Sequence, residues 1–170
     1  MHKLIHKKED REVYYDGQYI IKKMPTVWLD LDSYNAFRKL HPEWLVKIID
    51  IDPNTIVMEK IEGQMFHEFR LDATPDQLYN VCIDFKDKLW KAYFDFNESR
   101  TGTRWIESTQ KMFFNMDASP GNVIIREGKP VYIDPDAWTW TEWDLFIQKI
   151  RLDDMVWFNE YIKYGFRTHE

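Results

Sequence analysis

A single cysteine, Cys82, leaves this chain of 170 residues no internal disulfide to form, which excludes a disulfide-built scaffold and any site that depends on several thiolates. Five scattered histidines give no cluster at metal-ligand spacing. No apolar run approaches the ~20 residues of a membrane-spanning helix, and no signal peptide opens the chain. Positive charge is also in short supply. With 23 Lys and Arg against 29 Asp and Glu, the formal charge is −6 and the pI about 5.4, which argues against a nucleic-acid-binding surface. Glycine is sparse too, with six in all and none before Gly17. A cytoplasmic, single-domain protein without nucleic-acid or membrane partners is the expectation.

Aromatic residues, by contrast, are abundant. Hydrophobic residues make up 44% of the chain, including 8 Trp, 9 Tyr and 11 Phe, enough to build a folded, aromatic-rich core. The N-terminal part reads as strands. Val13 to Tyr15 and Tyr19 to Lys23 flank Asp16-Gly17-Gln18 as one hairpin, and Leu45 to Ile51 and Thr55 to Lys60 flank Asp52-Pro53-Asn54 as another. Between them, Tyr34, Phe37 and Leu40 have helical spacing over Leu31 to Leu40. Thr74-Pro75-Asp76-Gln77 reads as a capping box with proline at the first helical position, opening a long helix through Leu78, Val81, Phe85, Leu89 and Tyr93. A second helix is predicted near Thr103 to Phe113, and a third over Thr141 to Tyr164, with a break around Leu152-Asp153.

The stretch from Asn115 to Asp136, NMDASPGNVIIREGKPVYIDPD, concentrates the chemistry. Asp117 and Asn122 share a Pro/Gly loop, and a short hairpin (Val123 to Ile125, Val131 to Ile133) then delivers Asp134. Phosphoryl transfer asks a protein for little more than positioning and charge neutralisation. It needs a carboxylate on the attacking hydroxyl and hard oxygen ligands that hold Mg²⁺ on nucleotide phosphates. The bland alternative for these residues is an ordinary hairpin with a turn at Gly128-Lys129-Pro130 and Asp134 as a helix cap.

This stretch resembles the catalytic core of the kinase superfamily. It resembles the aminoglycoside phosphotransferase and choline kinase branch, whose loop H-G-D-x-x-P-x-N is followed by I-D-x-[DE], more than it resembles protein Ser/Thr kinases. The resemblance implies an α+β, minimal bilobal kinase-like fold. A small β lobe would cover residues 1–62, a hinge would lie near 59–63, and a mainly helical lobe would cover 64–170. It implies that Asp117 is the catalytic aspartate, that Asn122 and Asp134 hold Mg²⁺, and that ATP donates the phosphoryl group. Lys22, in Tyr19-Ile20-Ile21-Lys22, matches the strand lysine that holds the α and β phosphates, with Lys23 the off-face alternative. In the segment TIVMEKIEG, Met58 matches the gatekeeper, and the Glu59 carbonyl and Ile61 amide match the main-chain groups that pair with adenine.

The chain also departs from the family pattern. The basic segment His2 to Lys8 stands where a glycine-rich loop would cover the phosphates. The carboxylate that would pair with Lys22 falls near Asp32 or Ser33, which also read as helix caps. Asn115 replaces the histidine two residues before the catalytic aspartate. Asp144 matches a helix aspartate that braces the catalytic loop, or is a first-turn acid favoured by the helix dipole. Asp136 is open between a second ion, the acceptor and solvent. Trp138, Trp140 and Trp143 either line an acceptor pocket or pack.

Only Trp138 to Glu142 separate the metal segment from the next helix, and Ser119 stands where protein kinases carry a lysine. Both features point away from peptide substrates. The function expected is therefore ATP- and Mg²⁺-dependent phosphoryl transfer to a small-molecule hydroxyl. The alternatives are a pseudokinase acting as a nucleotide-binding or protein-interaction module, and a kinase acting on a protein partner.

Overall fold

The computed structural model describes residues 2–102 and 111–166. The N-terminal part is a five-stranded antiparallel sheet of β1 (Lys3–Lys8), β2 (Arg11–Tyr15), β3 (Tyr19–Lys23), β4 (Ile48–Asp52) and β5 (Thr55–Glu59), in the order β1-β2-β3-β5-β4. The first strand is not signalled by the sequence, because all six of its residues are exposed and show no alternation. The β2–β3 turn forms as its residues require. Gly17 takes a φ of 105°, and the Asp16 carboxylate accepts the backbone N–H groups of Gln18 and Tyr19 at 2.8 and 2.7 Å. Between β3 and β4 lies α1 (Leu31–Leu40), whose cap is Asp30 rather than Asp32 or Ser33. Asp30 accepts the Ser33 N–H at 3.1 Å and the Ser33 hydroxyl at 2.7 Å.

The rest of the chain is mainly helical. After β6 (Gln64–Met65) and α2 (Phe66–Asp72), the predicted capping box is present. Thr74 Oγ1 accepts the Gln77 N–H at 3.2 Å, and Gln77 Oε1 accepts the Thr74 N–H at 2.8 Å. The helix that it opens runs through α3 (Pro75–Tyr79), a π turn (Asn80–Asp84) and α4 (Phe85–Thr101). Of the second helix expected over Thr103 to Phe113, residues 103–110 lie outside the described residues. Residues 111–113 belong instead to a strand, β7 (Lys111–Asn115). Two small sheets complete the topology. One is β6-β8-β9, with β8 (Val123–Arg126) and β9 (Lys129–Tyr132), and the other pairs β7 with β10 (Trp138–Glu142). The β8–β9 turn is made by Glu127 and Gly128, both at positive φ, so Lys129 and Pro130 already belong to β9.

The last helix, α5 (Trp143–Gly165), is unbroken through Leu152-Asp153 and starts two residues later than the sequence indicates. Aromatic and β-branched residues in Trp138 to Glu142 favour the strand that pairs with β7. Trp138 is the centre of the core. It is fully buried, and its ring lies 4.9 Å from Phe37, 5.8 Å from Phe113, 6.0 Å from Tyr93, 6.1 Å from Tyr34 and 6.4 Å from Tyr132. Two of these rings come from α1 and the others from the C-terminal part, so α1 is fixed against the element that leads out of the Asp134 segment.

The connection from β5 to β6 depends on a close approach. A β-carbon at Gly63 would sit well inside contact distance of the Ile125 carbonyl oxygen and the Ile124 side chain. A backbone carbonyl in a paired strand cannot move aside as a flexible side chain could. Gly63→Ala should therefore cost about 1–3 kcal/mol, read as a lower denaturation midpoint at unchanged m-value. A variant as stable as the parent would mean that β8 can yield at that point.

Candidate functional site

The loop from Asn115 to Asn122 is held by its backbone on every side. Asn115 ends β7, is fully buried, and accepts the Asp117 N–H on its side-chain oxygen at 2.9 Å. Its own N–H reaches the Tyr93 hydroxyl at 3.4 Å. Met116 N–H donates to the Ala137 carbonyl at 2.8 Å, and Trp157 of α5 donates its indole N–H to the Ala118 carbonyl at 2.8 Å. Beyond the short 3₁₀ turn Pro120–Asn122, the Asn122 side-chain amide donates to the Asp117 carbonyl at 3.1 Å. The Asn122 carbonyl in turn accepts the Ile133 N–H at 3.1 Å. Asp117 is thus fixed through both its N–H and its C=O, while the residue itself is exposed. Asn115 braces the loop with a short side-chain amide, whose Nδ2 is buried without a hydrogen-bond partner among the described residues.

Lys22 meets this region from the sheet. It is buried on the inner face of β3, whereas Lys23 is exposed with its ammonium 5.4 Å from the Tyr14 ring centre. The Lys22 ammonium donates to both Asp134 and Asp136, so its carboxylate partners lie across the cleft and not on α1. Asp32 is exposed, and Ser33 is engaged with Asp30 and with the Trp140 indole N–H at 2.9 Å. Asp136 is therefore part of the constellation rather than a solvent-facing acid. Its second oxygen accepts Arg11 of β2 at 3.0 Å.

The two carboxyls are pushed in opposite directions. Burial and the neighbouring Asp136 push Asp134 up to about 6, against the pull of Lys22. At Asp136 burial acts the same way, but the hydrogen bond from Asp134 and the cations Lys22 and Arg11 outweigh it and hold the carboxyl below its usual range. Two carboxylates this close do not both ionise freely without a cation between them.

Next to this charged cluster is an apolar one. Val46, Met58, Ile61 and Val131 are buried together, with Ile20, Ile124 and Ile133 packed against them. They come from β3 and β5, the segment before β4, the β5–β6 connection, and the β8–β9 hairpin with the residue that follows it. Glu59 secures the end of β5. Its N–H donates to the Lys47 carbonyl at 2.9 Å, and its carboxylate accepts the Lys47 N–H at 2.7 Å. A cavity of about 470 Å³ lined by Glu43, Trp44, Asp84, Phe85, Lys88 and Lys129, among others, contains none of the residues of either cluster. The charged cluster is the candidate site because Lys22, Arg11, Asp134 and Asp136 converge there.

The remaining candidates are resolved by packing. Asp144 is exposed in the first turn of α5, the position of a dipole-favoured acid. The α5 residues that face the loop are Asp153 and Trp157, one turn apart. The tryptophans are engaged in packing and hydrogen bonds. Trp138 is buried, Trp140 bonds Asp30 and Ser33, and Trp143 packs edge-on to Phe94 and tilted against Phe146. Sequence reasoning missed Arg11 and Asp153. For Asp153 a signal existed, since its i, i+4 relation to Trp157 places it on the buried face once the helix is taken as continuous.

Among solved structures, the chain is similar to the gentamicin complex of aminoglycoside phosphotransferase APH(2'')-IIa, with a TM-score of 0.55 and 10% identity over 97% of this chain and 76% of that one. The streptomycin–ATP ternary complex of APH(2'')-IIa gives a TM-score of 0.51 at 10% identity, over 97% and 77% of the two chains. A Mycobacterium tuberculosis protein in complex with erythromycin gives 0.53 at 17% identity, over 81% of this chain and 45% of that one. At such identities the likeness is one of fold, and the chain has the bilobal kinase-like α+β fold of the aminoglycoside phosphotransferases. No protein-family model and no curated protein matches the sequence.

Burial pushes the Asp153 carboxyl up to about 6, with Lys149 opposing and the negative charges of Asp117 and Asp154 adding to the rise. An unfolded aspartate titrates near pH ~4, so between about pH 4 and 6 the folded chain binds more protons than the unfolded one. Stability therefore falls as pH rises through that window. Asp153→Asn removes the loss. It should raise stability at pH 7.5 by about 1–2 kcal/mol, allowing for partial solvent screening, and the gain should vanish near pH 4. A gain that stays constant with pH would locate the effect elsewhere.

Proposed function

We propose that the chain is an ATP- and Mg²⁺-dependent phosphotransferase that passes the γ-phosphoryl group to a small-molecule hydroxyl. The observation that carries this reading is the meeting of Lys22 with Asp134 across the cleft, beside a loop in which Asn122 is bonded to the Asp117 backbone. The strand lysine pairs with the aspartate that follows the hairpin, and the loop of Asp117 and Asn122 is bonded to the residue before that aspartate.

The donor set suits the ion. Asp134 and Asp136 flank a buried ammonium, so the place already accommodates positive charge, and Asn122 is tied to Ile133, the residue before Asp134. No three His, Cys, Asp or Glu side chains form a closed metal cage among the described residues. Mg²⁺ commonly takes one or two carboxylates plus phosphate oxygens and water, so a preformed cage is not required. Bound Mg²⁺ would neutralise charge on the nucleotide phosphates. In this reading Asp134 and Asn122 hold the ion, and Lys22 faces the phosphates. Met58 and Ile61, with Ile20, Val46 and Val131, supply apolar walls for adenine, whose edge pairs with the Glu59 carbonyl and the Ile61 amide. Asp117 orients the acceptor hydroxyl and takes its proton as the new O–P bond forms and the bond to the ADP oxygen breaks. The ten residues from Asp134 to Trp143 contain no activation segment, and β10 is paired with β7 along its whole length. Both features favour a small acceptor over a peptide.

A second reading, a nucleotide-binding module without turnover, is favoured by one observation. The β1–β2 turn is Glu9-Asp10, two acids where phosphate-covering amides would be expected.

Two experiments separate these readings. ATP should raise the melting temperature more with Mg²⁺ than without, by mass action on the folded state, and Asp134→Ala should abolish the Mg²⁺-dependent part. Persistence of that part in the variant would refute the metal assignment. Incubation with labelled ATP and a metabolite extract should label a hydroxyl-bearing small molecule, and Asp117→Asn should lower that turnover by about 10²–10⁴ with little change in ATP affinity. ATP binding without transfer in the parent chain would establish the module instead.

A further inference from the structure

We propose that Arg11 is the phosphate-binding group of the β1–β2 hairpin, latched to Asp136 in the free chain and released onto the nucleotide's phosphates when the cleft is loaded. The proposal rests on the phosphotransferase reading and goes beyond it by assigning a residue to a job that no glycine-rich loop is present to perform.

The hairpin sits at the edge of the sheet, next to the strand that carries Lys22. Its turn holds Glu9, at a φ of 48°, and Asp10. A glycine loop covers phosphates with backbone N–H groups that approach closely because no side chain intervenes. Two carboxylates at the tip do the reverse and repel a triphosphate, so attraction from this hairpin has to come from a side chain. Arg11, the first residue of β2, is the cation that reaches the cleft. Its Nη1 lies 3.0 Å from Asp136, 125 positions away, on the turn that follows Asp134. The Arg11 side chain is 50% exposed while that of Asp136 is 7% exposed, so the guanidinium is held by this charge contact more than by packing and is free to exchange it.

The four side chains form a closed set of two cations and two anions. Asp136 accepts Arg11 on one oxygen and Lys22 on the other, and Lys22 also engages Asp134. Once a divalent ion neutralises the carboxylates, Lys22 and Arg11 lose their share of that charge and become available to phosphate oxygens together. Guanidinium offers a planar fork of donors matched to phosphate, which an ammonium does not. The set therefore links closure of the hairpin over the cleft to occupancy of the site.

The test compares Mg·ATP with adenosine, since only the former carries phosphates. Binding of each would be measured calorimetrically for the parent chain, Arg11→Ala and Arg11→Lys, with hydrogen exchange over residues 2–15 recorded in parallel. Arg11→Ala should lose about 10- to 100-fold in Mg·ATP affinity, keep its adenosine affinity, and show a shallower salt dependence. Arg11→Lys should recover part of the loss. Without ligand, Arg11→Ala should exchange faster in the hairpin, and Mg·ATP should protect the hairpin in the parent alone. If the parent binds both ligands and Arg11→Ala keeps the same preference for Mg·ATP, the latch is only a structural ion pair and the proposal fails. If the parent binds neither ligand, the phosphotransferase reading fails and the proposal falls with it.

Discussion

The structure turns on a buried ammonium that has to be paired. Lys22 lies on the inner face of the sheet at 7% exposure, where an isolated charge would cost several kcal/mol of lost hydration. Its compensation comes from Asp134 and Asp136, more than a hundred residues later in the chain. Such a pair adds little net stability over an apolar substitute, because desolvation offsets most of the attraction. What it fixes is geometry, since the β3 strand and the segment after β9 have to sit face to face for the charges to meet. The apolar cluster of Val46, Met58, Ile61 and Val131 closes the same seam alongside, and there the burial of apolar surface supplies stabilisation that the ion pair does not.

Around that seam the loop from Asn115 to Asn122 is held by main-chain hydrogen bonds and buried rings rather than by charged side chains. Asn115, Tyr93, Ala137, Asn122 and Trp157 each bond to the backbone of the segment from Asn115 to Asn122. Trp138 locks the following strand against α1 and α4 through five aromatic neighbours. A frame of this kind fixes the backbone of Asp117 on both sides while its side chain stays exposed.

Local signals in the sequence were strong wherever one residue's chemistry decides the conformation. The Gly17 turn, the Thr74 capping box, the α1 boundaries and the hairpin that leads to Asp134 all appear as read. The misreadings share a cause, which is that non-local contacts decide them. Residues 138–142 and 111–113 have aromatic content compatible with either state and become strands because they pair with each other. The exposed strand β1 carries no alternation and exists by pairing with β2. Of the two adjacent lysines Lys22 is the buried one, but a partner for it on the neighbouring helix is not what forms, because no local pattern announces an ion pair across 112 positions. The same holds for Arg11 and Asp136.

The pairing of β10 with β7 also bears on how the segment from Asn115 to Asp136 is held. β10 follows directly on the turn that holds Asp136, and it pairs with the strand that ends in Asn115. The two ends of the functional segment are therefore joined to each other by five residue pairs. That two-stranded clamp closes the loop that contains Asp117, Asn122 and Asp134 into one unit. The entropy of ordering the unit is met locally by the ladder and by Trp138, with no need for a distant docking platform. A long insertion between Asp134 and α5 would interrupt this clamp, so the short connection is part of what holds the segment from Asn115 to Asp134 in place.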